Sequence, residues 1–425
     1  MKSSKILRFA GDVSVDKARI ITSNGFFQDI SAQIINIQYY EDLFSPFITG
    51  SIILKESLDY INLFPFIGEE YIDLEITTPT LEKAGIKGRY YIYKITDREL
   101  IGNKNVVYQM HFISAEAIVD LNKKISRVFG DKISNLVEPF IKDKTIGLES
   151  EKKVFIEPTN NSTKYISNFW SPFKNLNYLT SLSTNANRSP SYVFFENRDG
   201  FYYCSLESLY VGNTYQKFVY DSYTRDSLPL SGSVKNIQED YRRISEISIP
   251  DVFDYMKRIS SGMLSSKQIT YDVTKKTYSS KNYNMFQRFT EQKHLNKFAI
   301  NSDKAIFRAN ATIFNYPKYY GNFNGFGDVT AAKINQERIS LLTLAESNKI
   351  NIVVPGRTDY TVGQKVDISL PRIEPISRKD NDTVDKMFSG LYLIAAINHY
   401  IDKEKHECHM ELIKESSLLD MNRGK

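Results

Sequence analysis

Three blocks near the start of this 425-residue chain return, in the same order, near its end. Gly68-Glu69-Glu70, leading into Ile72-Asp73-Leu74 and Ile76, matches Gly363-Gln364-Lys365, leading into Val366-Asp367-Ile368 and Leu370. Gly88-Arg89-Tyr90-Tyr91-Ile92-Tyr93-Lys94-Ile95 matches Gly390-Leu391-Tyr392-Leu393-Ile394-Ala395-Ala396-Ile397, with the glycine, one tyrosine and two isoleucines in register. Met110-His111-Phe112-Ile113 matches Met410-Glu411-Leu412-Ile413. Alternating strands resemble one another, so one block alone says little, but three in a shared order point to a duplicated unit. The chain then holds two versions of one small β-barrel, the second interrupted by material inserted before a helix that starts near Ala331.

Local patterns agree with this division. Ile35, Ile37 and Tyr39 alternate with Asn36 and Gln38, Ile72, Leu74 and Ile76 with Asp73 and Glu75, and Tyr108, Met110 and Phe112 with Gln109 and His111. Period two predicts half-buried antiparallel strands. From about Ala117 the period changes: Ile133, Val137 and Ile141, then Leu176, Leu179, Leu182 and Ala186 after Pro172, recur at helical spacing. Tyr192–Phe195 and Phe201–Cys204 flank Asn197-Arg198-Asp199-Gly200, a hairpin turn whose glycine supplies positive φ. Pro250 and Asp251 open a short helix through Ile259, and a strand over Ile269, Tyr271 and Val273 follows. Gly321 to Gly327 reads as a mobile loop, Ala331 to Ser347 as a helix, and Arg372 to Lys386 as a charged surface loop between the last strands. The fold class is therefore α+β and mostly β. Residues 1–117 form the first barrel, 118–215 with 279–331 an α/β middle and insert region, 216–278 with 332–418 the second barrel, and 419–425 a polar tail.

Composition narrows the function classes. The 55 basic and 50 acidic residues are interspersed, without the basic stripe expected of a nucleic-acid binder. Aromatic residues reach 13%, dominated by 28 Tyr and 26 Phe, which favours strands and interfaces. Cys204 and Cys408 are too few and too far apart for a disulfide framework, so assembly in a reducing compartment is expected. Met1 to Phe9 lacks an apolar core of signal-peptide length and no stretch reaches membrane-spanning length, so neither secretion by that route nor membrane embedding is expected.

No catalytic constellation stands out. There is no Gly-x-Ser-x-Gly elbow, no phosphate-cradling glycine loop ending in Lys-Ser/Thr, and no carboxylate pair singled out for glycoside hydrolysis. His399, His406 and Cys408 share one face of a hairpin that turns at Asp402 to Lys405, with His409 on the other face. Partly buried strand residues without a metal are expected there, because nothing else in the sequence completes a closed zinc shell. Trp170, beside Phe169, Pro172 and Phe173, is expected to anchor the core of the middle region. The loop Leu43, Phe44, Pro46 and Phe47 is the feature chosen as a site. Its apolar side chains either pack on their own barrel or grip a neighbouring subunit or ring.

A trimer of a subunit with two similar barrels presents six similar units around one axis, which adapts threefold to sixfold symmetry without any active site. The chain resembles the baseplate central hub subunit of T-even-type contractile-tailed phages and, more distantly, the hub part of VgrG. The matching elements are Tyr40-Glu41-Asp42-Leu43-Phe44 to Gly50-Ser51-Ile52-Ile53-Leu54, Phe66-Ile67-Gly68-Glu69-Glu70, Tyr91-Ile92-Tyr93-Lys94-Ile95-Thr96-Asp97-Arg98, Tyr192-Val193-Phe194-Phe195-Glu196 to Gly200–Leu206, and Ser389-Gly390-Leu391-Tyr392-Leu393-Ile394 to Asn398-His399. The resemblance implies two tail-tube-like antiparallel barrels and a homotrimeric ring around a channel. The ring would join the tail tube or tube-initiator proteins to a trimeric spike, with a tape-measure protein as a further partner and DNA only as passing cargo. It carries over no catalytic residue and implies a place in the virion tail baseplate after assembly in the host cytoplasm; no cofactor and no metal are expected. A fused spike β-helix, present in VgrG, is missing here. The competing expectation is a cell-wall hydrolase with a catalytic middle region and barrels for attachment.

Overall fold

The computed structural model describes residues 7–58, 60, 66–81, 84–102, 104–220, 237–273, 275–304, 311–316, 328–372, 384–403 and 405–422. The expected loop at Gly321 to Gly327 and most of Arg372 to Lys386 lie outside them. Strand outweighs helix, 46% to 19%, so the fold is mostly β as the sequence led us to expect.

The first module is built from β1 (Ser14–Ile21), β2 (Phe27–Asp29), β3 (Ile34–Asp42), β4 (Thr49–Glu56), β5 (Tyr71–Thr77), β6 (Ile86–Ile101) and β7 (Asn105–Ser114), side by side in the order β3-β4-β7-β6-β5-β1-β2. Along β7 burial alternates without a break, so Tyr108, Met110 and Phe112 point into a core that also holds Ile37, Tyr39, Ile52, Leu74 and Tyr90. Gly50 makes room for this: a Cβ there would lie 2.1 Å from the Phe112 ring. The alternation expected over Ile35 to Tyr39 is broken. A register shift between Ile34 and Asn36 turns Ile35 outward and buries Asn36, because a bulge moves the following residues to the other face.

The middle region follows: α1 (Ala115–Asn122), β8 (Ile125–Lys132), α2 (Ile133–Lys142), β9 (Val154–Ile156), β10 (Ser162–Trp170), α3 (Pro172–Leu182), β11 (Tyr192–Asn197), β12 (Gly200–Ser205) and α4 (Leu206–Val211). Both expected helices form, the second ending at Leu182, before Ala186. Ser171 caps α3 by accepting from the Lys174 amide, and Pro172 sits in its first turn, where no amide hydrogen is needed. The helices bury Val137, Phe140, Leu176 and Leu179 against Tyr165, Tyr192 and Tyr203. Trp170 packs on this core beside Tyr178, as expected. The β11–β12 hairpin turns at Gly200, whose φ is +138° and where a Cβ would meet the Lys153 carbonyl at 2.2 Å.

After β13 (Thr214–Val219), α5 (Ile237–Asp240) and β14 (Glu246–Ser248), the chain enters an insert. It comprises α6 (Tyr255–Ser260), β15 (Ser265–Asp272), β16 (Thr277–Asn284), α7 (Met285–Phe289), β17 (Phe298–Ala299), β18 (Ala311–Asn315) and α8 (Asp328–Ala345). The strand over Ile269 and Tyr271, expected in the second barrel, instead pairs with β16 and β18 in a separate three-stranded sheet. The short helix before it starts at Tyr255 rather than Pro250, because the Asp254 carboxylate caps it by accepting from the Lys257 amide. The chain then completes the second module with β19 (Lys349–Pro355), β20 (Lys365–Ser369), β21 (Gly390–Asp402) and β22 (His406–Ile413), and β23 (Ser416–Ser417) pairs with β17.

The two modules repeat one another pair by pair. Ile72 faces Tyr90 and Leu74 faces Gly88 between β5 and β6, while Val366 faces Tyr392 and Ile368 faces Gly390 between β20 and β21. Ile92 faces Phe112 and Ile95 faces Met110, while Ile394 faces Leu412 and Ile397 faces Met410. Both ladders skip one residue at the same place, Tyr93 in one module and Ala395 in the other. The equivalence extends to strands outside the three repeated blocks. Ile52 on β4 faces Met110 as Ile352 on β19 faces Met410, and Ile37 on β3 faces Ile52 as Ile247 on β14 faces Ile352. It ends at the outer strands, since β1 lies antiparallel to β5 whereas β13 lies parallel to β20.

Candidate assembly interface

The modules are joined by strand pairing. The far half of β21, Ala396 to Asp402, lies antiparallel to β3, making one sheet of 13 strands. Ile401 faces Ile37 across this joint, and both are buried. Asn296, in the insert, bonds the backbone of Leu391 on β21 from both ends of its amide.

Buried charge fixes how the three parts meet. Glu41, at the end of β3, accepts from the Thr361 hydroxyl, the Val362 amide at 3.1 Å and the Arg198 amide at 2.8 Å, so one carboxyl touches both modules and the middle hairpin. Burial pushes this carboxyl up to about 7, with the hydrogen bonds opposing the rise. The Arg198 guanidinium donates to the carbonyls of Ala84 in the first module and Thr358 in the second. Thr78 and Thr358 exchange amide-to-hydroxyl bonds of 3.2 and 3.0 Å across the same seam. Glu196 accepts from the Ile48 amide at 3.1 Å and from Lys152, which also meets Glu116 at 2.7 Å. Burial pushes the Lys152 ammonium down, but the two carboxylates more than offset this and hold it above its ordinary range.

The loop chosen from sequence sits at this seam, with its four residues divided. Leu43 is wholly buried in the core of the second module and its amide donates to the Ala395 carbonyl at 2.7 Å. Phe47 packs edge-on against Phe173 of α3, ring centres 4.0 Å apart, in the middle region's core. Phe44 remains 40% exposed, and with Pro46 it lines an open groove of about 430 Å³ shared with Lys174, Asn177 and Arg338. His399, His406 and Cys408 come together inside the second module, whereas His409 faces outward, as the strand period requires.

Two edges that sequence reasoning missed lie open. β14 ends the large sheet, and no described strand pairs its outer side. In β6 the segment from Ile95 to Ile101 pairs only with β7, and its opposite side has no described strand. Leu100 and Ile101 there are 75% and 47% exposed. These edges correspond to the paired ones at the internal joint. Ile247 on β14 is the counterpart of Ile37 on β3, and Leu100, facing Val106, is the counterpart of Ile401, facing His406. An apolar pair at the tip of a hairpin was the signal available in the sequence.

No family model matches the chain. Over 421 residues it is 20% identical to the probable baseplate hub protein gp334 of Vibrio phage KVP40, covering 92% of each chain. The likeness is to a phage baseplate hub. The fold agrees. A tail protein from Neisseria meningitidis MC58 superimposes with a TM-score of 0.54 at 8% identity, covering 94% of this chain and 96% of that one. The 43 kDa tail protein of prophage MuSo2 from Shewanella oneidensis gives the same score at 9% identity, covering 94% and 98%. The hub resemblance read from the sequence thus agrees with a likeness that covers 92% of each chain, and the two tail proteins share the fold. No helix among the described residues is long and apolar enough to cross a membrane.

Proposed function

We propose that the chain is the structural hub of a contractile-tail baseplate, and that three copies close into a ring of six modules around a channel. The single observation that carries this reading is the pair of open edges. Within the chain, β3 of the first module docks on the far half of β21 of the second. The same docking repeated between copies would lay β14 of one chain on the Ile95 to Ile101 segment of β6 in the next, with Ile247 facing Leu100. That contact uses up both edges, and a head-to-tail contact of this kind closes into a ring when its rotation divides a full turn. Two modules per chain make a threefold ring nearly sixfold. Its sixfold-like face suits a tail tube or tube-initiator protein and its threefold face, bearing the inserts, a trimeric spike. A tape-measure protein and passing DNA belong to the channel.

The hub acts without catalysis. Glu116 and Glu196, one pair of carboxylates that comes together beside the middle region, are both ion-paired to the Lys152 ammonium, as expected of a structural rather than a glycan-cleaving pair. Phe44 and Pro46, at the exposed tip of the β3–β4 loop, are proposed to touch the neighbouring copy or the next ring. The ring is tested by the mass of the purified full chain in solution. A particle of three 49.0 kDa chains is expected, and a protein that stays monomeric at high concentration contradicts the ring.

A further inference from the structure

We propose that His399, His406 and Cys408 form a buried binding site for a divalent transition-metal ion of the zinc type, which staples the β21–β22 hairpin of the second module. His399 Nδ1 lies 3.0 Å from His406 Nε2, and the Cys408 sulfur lies 3.4 Å and 3.5 Å from these two nitrogens. An ion at ordinary zinc distances, about 2.05 Å from each nitrogen and about 2.3 Å from sulfur, would stand roughly 1 Å out of the plane of the three donors. That is the base of a tetrahedron with one apex open. The Arg357 carbonyl, 3.9 Å from the sulfur, lies beside the cluster.

Strand geometry brings the donors together. His399 pairs directly with Cys408 across the hairpin, and His406, two residues before Cys408, shares its face. All three are essentially unexposed. The position of His406 is fixed from behind. Its amide donates to the Gly11 carbonyl at 2.9 Å, its carbonyl accepts from Gly356 at 2.7 Å, and a Cβ on Gly356 would come within 2.2 Å of its ring. Only glycine lets that strand close over the imidazole.

The chemistry of the donors fits. Both imidazoles are buried, and neutral imidazole is the form that binds such an ion. Burial also raises the Cys408 thiol. A divalent ion reverses this by replacing the thiol proton, which leaves to solvent as the sulfur–metal bond forms. Asp359, ion-paired to Arg357, lies near enough to act on Cys408. At the equivalent positions of the first module stand Val106 and Tyr108, facing Leu100 and Leu54, so the site belongs to the second module alone.

Metal content decides the matter. The full chain, expressed separately in zinc- and in cobalt-supplemented medium so that the ion enters during folding, is expected to carry about one ion per chain. The cobalt form should show the visible bands of tetrahedral coordination and a near-ultraviolet sulfur-to-cobalt transition. Cys408→Ser should remove that transition and lower the metal content about tenfold. Folded wild-type protein with less than about a tenth of an ion per chain from both cultures overturns the site, as does bound cobalt without the sulfur transition. If Cys408→Ser fails to fold, the wild-type metal content and cobalt spectrum decide alone.

Discussion

Replacing Glu41 with glutamine should flatten part of the pH dependence of stability, and the structure sets both sign and size. The carboxyl is held at about 7 in the fold against an ordinary 4.5. Between these values the folded chain binds a proton that the unfolded chain has lost, so stability falls as pH rises through this window. Below the window both states are protonated and the group contributes nothing. Above it the whole cost is present, about 3 kcal/mol at about 1.4 kcal/mol for each tenfold change in proton concentration. The amide of glutamine cannot titrate, and the bonds it makes less well with Thr361, Val362 and Arg198 shift its stability equally at every pH. The assay is thermal unfolding of wild type and Glu41→Gln at half-unit steps from pH 4.5 to 8.5. At about 2 °C per kcal/mol for a unit of this size, the wild-type midpoint should drop about 6 °C relative to the variant across the range. Midpoints that run parallel would show that Glu41 is ionised in the fold, and the reading of its carboxyl as buried at the junction of the two modules and the middle hairpin would be wrong.

Other perturbations probe separate parts of the molecule. Arg198→Ala removes the guanidinium bonds to the Ala84 and Thr358 carbonyls, and should cost about 2–4 kcal/mol in chemical denaturation while making the seam susceptible to limited proteolysis. An unchanged proteolytic pattern would deny it a joining role. Gly200→Ala drives a Cβ to within 2.2 Å of the Lys153 carbonyl at a positive φ, and should destabilise the middle hairpin by about 2 kcal/mol or more; an unaltered melting temperature contradicts the turn. Leu100→Lys should leave the chain's own stability within about 0.5 kcal/mol, since Leu100 is 75% exposed. It should nevertheless weaken self-association, read by analytical ultracentrifugation, by at least about tenfold, because it places a charge where two apolar side chains meet.

Much of the architecture was legible because alternation and turn residues speak directly of local geometry. The three repeated blocks fell on β5, β6, β7 and their counterparts β20, β21, β22, where identity survives at inward-facing residues such as Tyr90 and Tyr392. The likeness of β4 to β19 and of β3 to β14 was invisible. It resides in which residue faces which across the sheet: Thr49-Gly50-Ser51 shares no side chain with Lys349-Ile350-Asn351, and the single identity Ile52/Ile352 that follows is too short to stand out. Strands β8 and β10 were missed because each carries one buried face only sparsely, with Lys, Ser and Arg along the other. The Leu43 to Phe47 loop stood out in the sequence as an apolar segment, but period and composition cannot say that Leu43 and Phe47 are covered by two different parts of the chain. The open edges left only the apolar pair Leu100-Ile101 as a trace in the sequence, and its meaning depends on the sheet order.

Ring formation turns on whether the joint inside the chain is repeated between chains. A double variant with Leu100→Cys and Ile247→Cys places one new thiol on each open edge, and the native Cys204 and Cys408 are buried. If neighbouring copies dock as β3 docks on β21, mild oxidation links them in the register that sets Ile401 against Ile37. Non-reducing electrophoresis should then show a ladder that stops at three chains, with neither single variant doing so. Assembled protein that fails to cross-link, or a ladder that runs past three, would contradict the proposed ring.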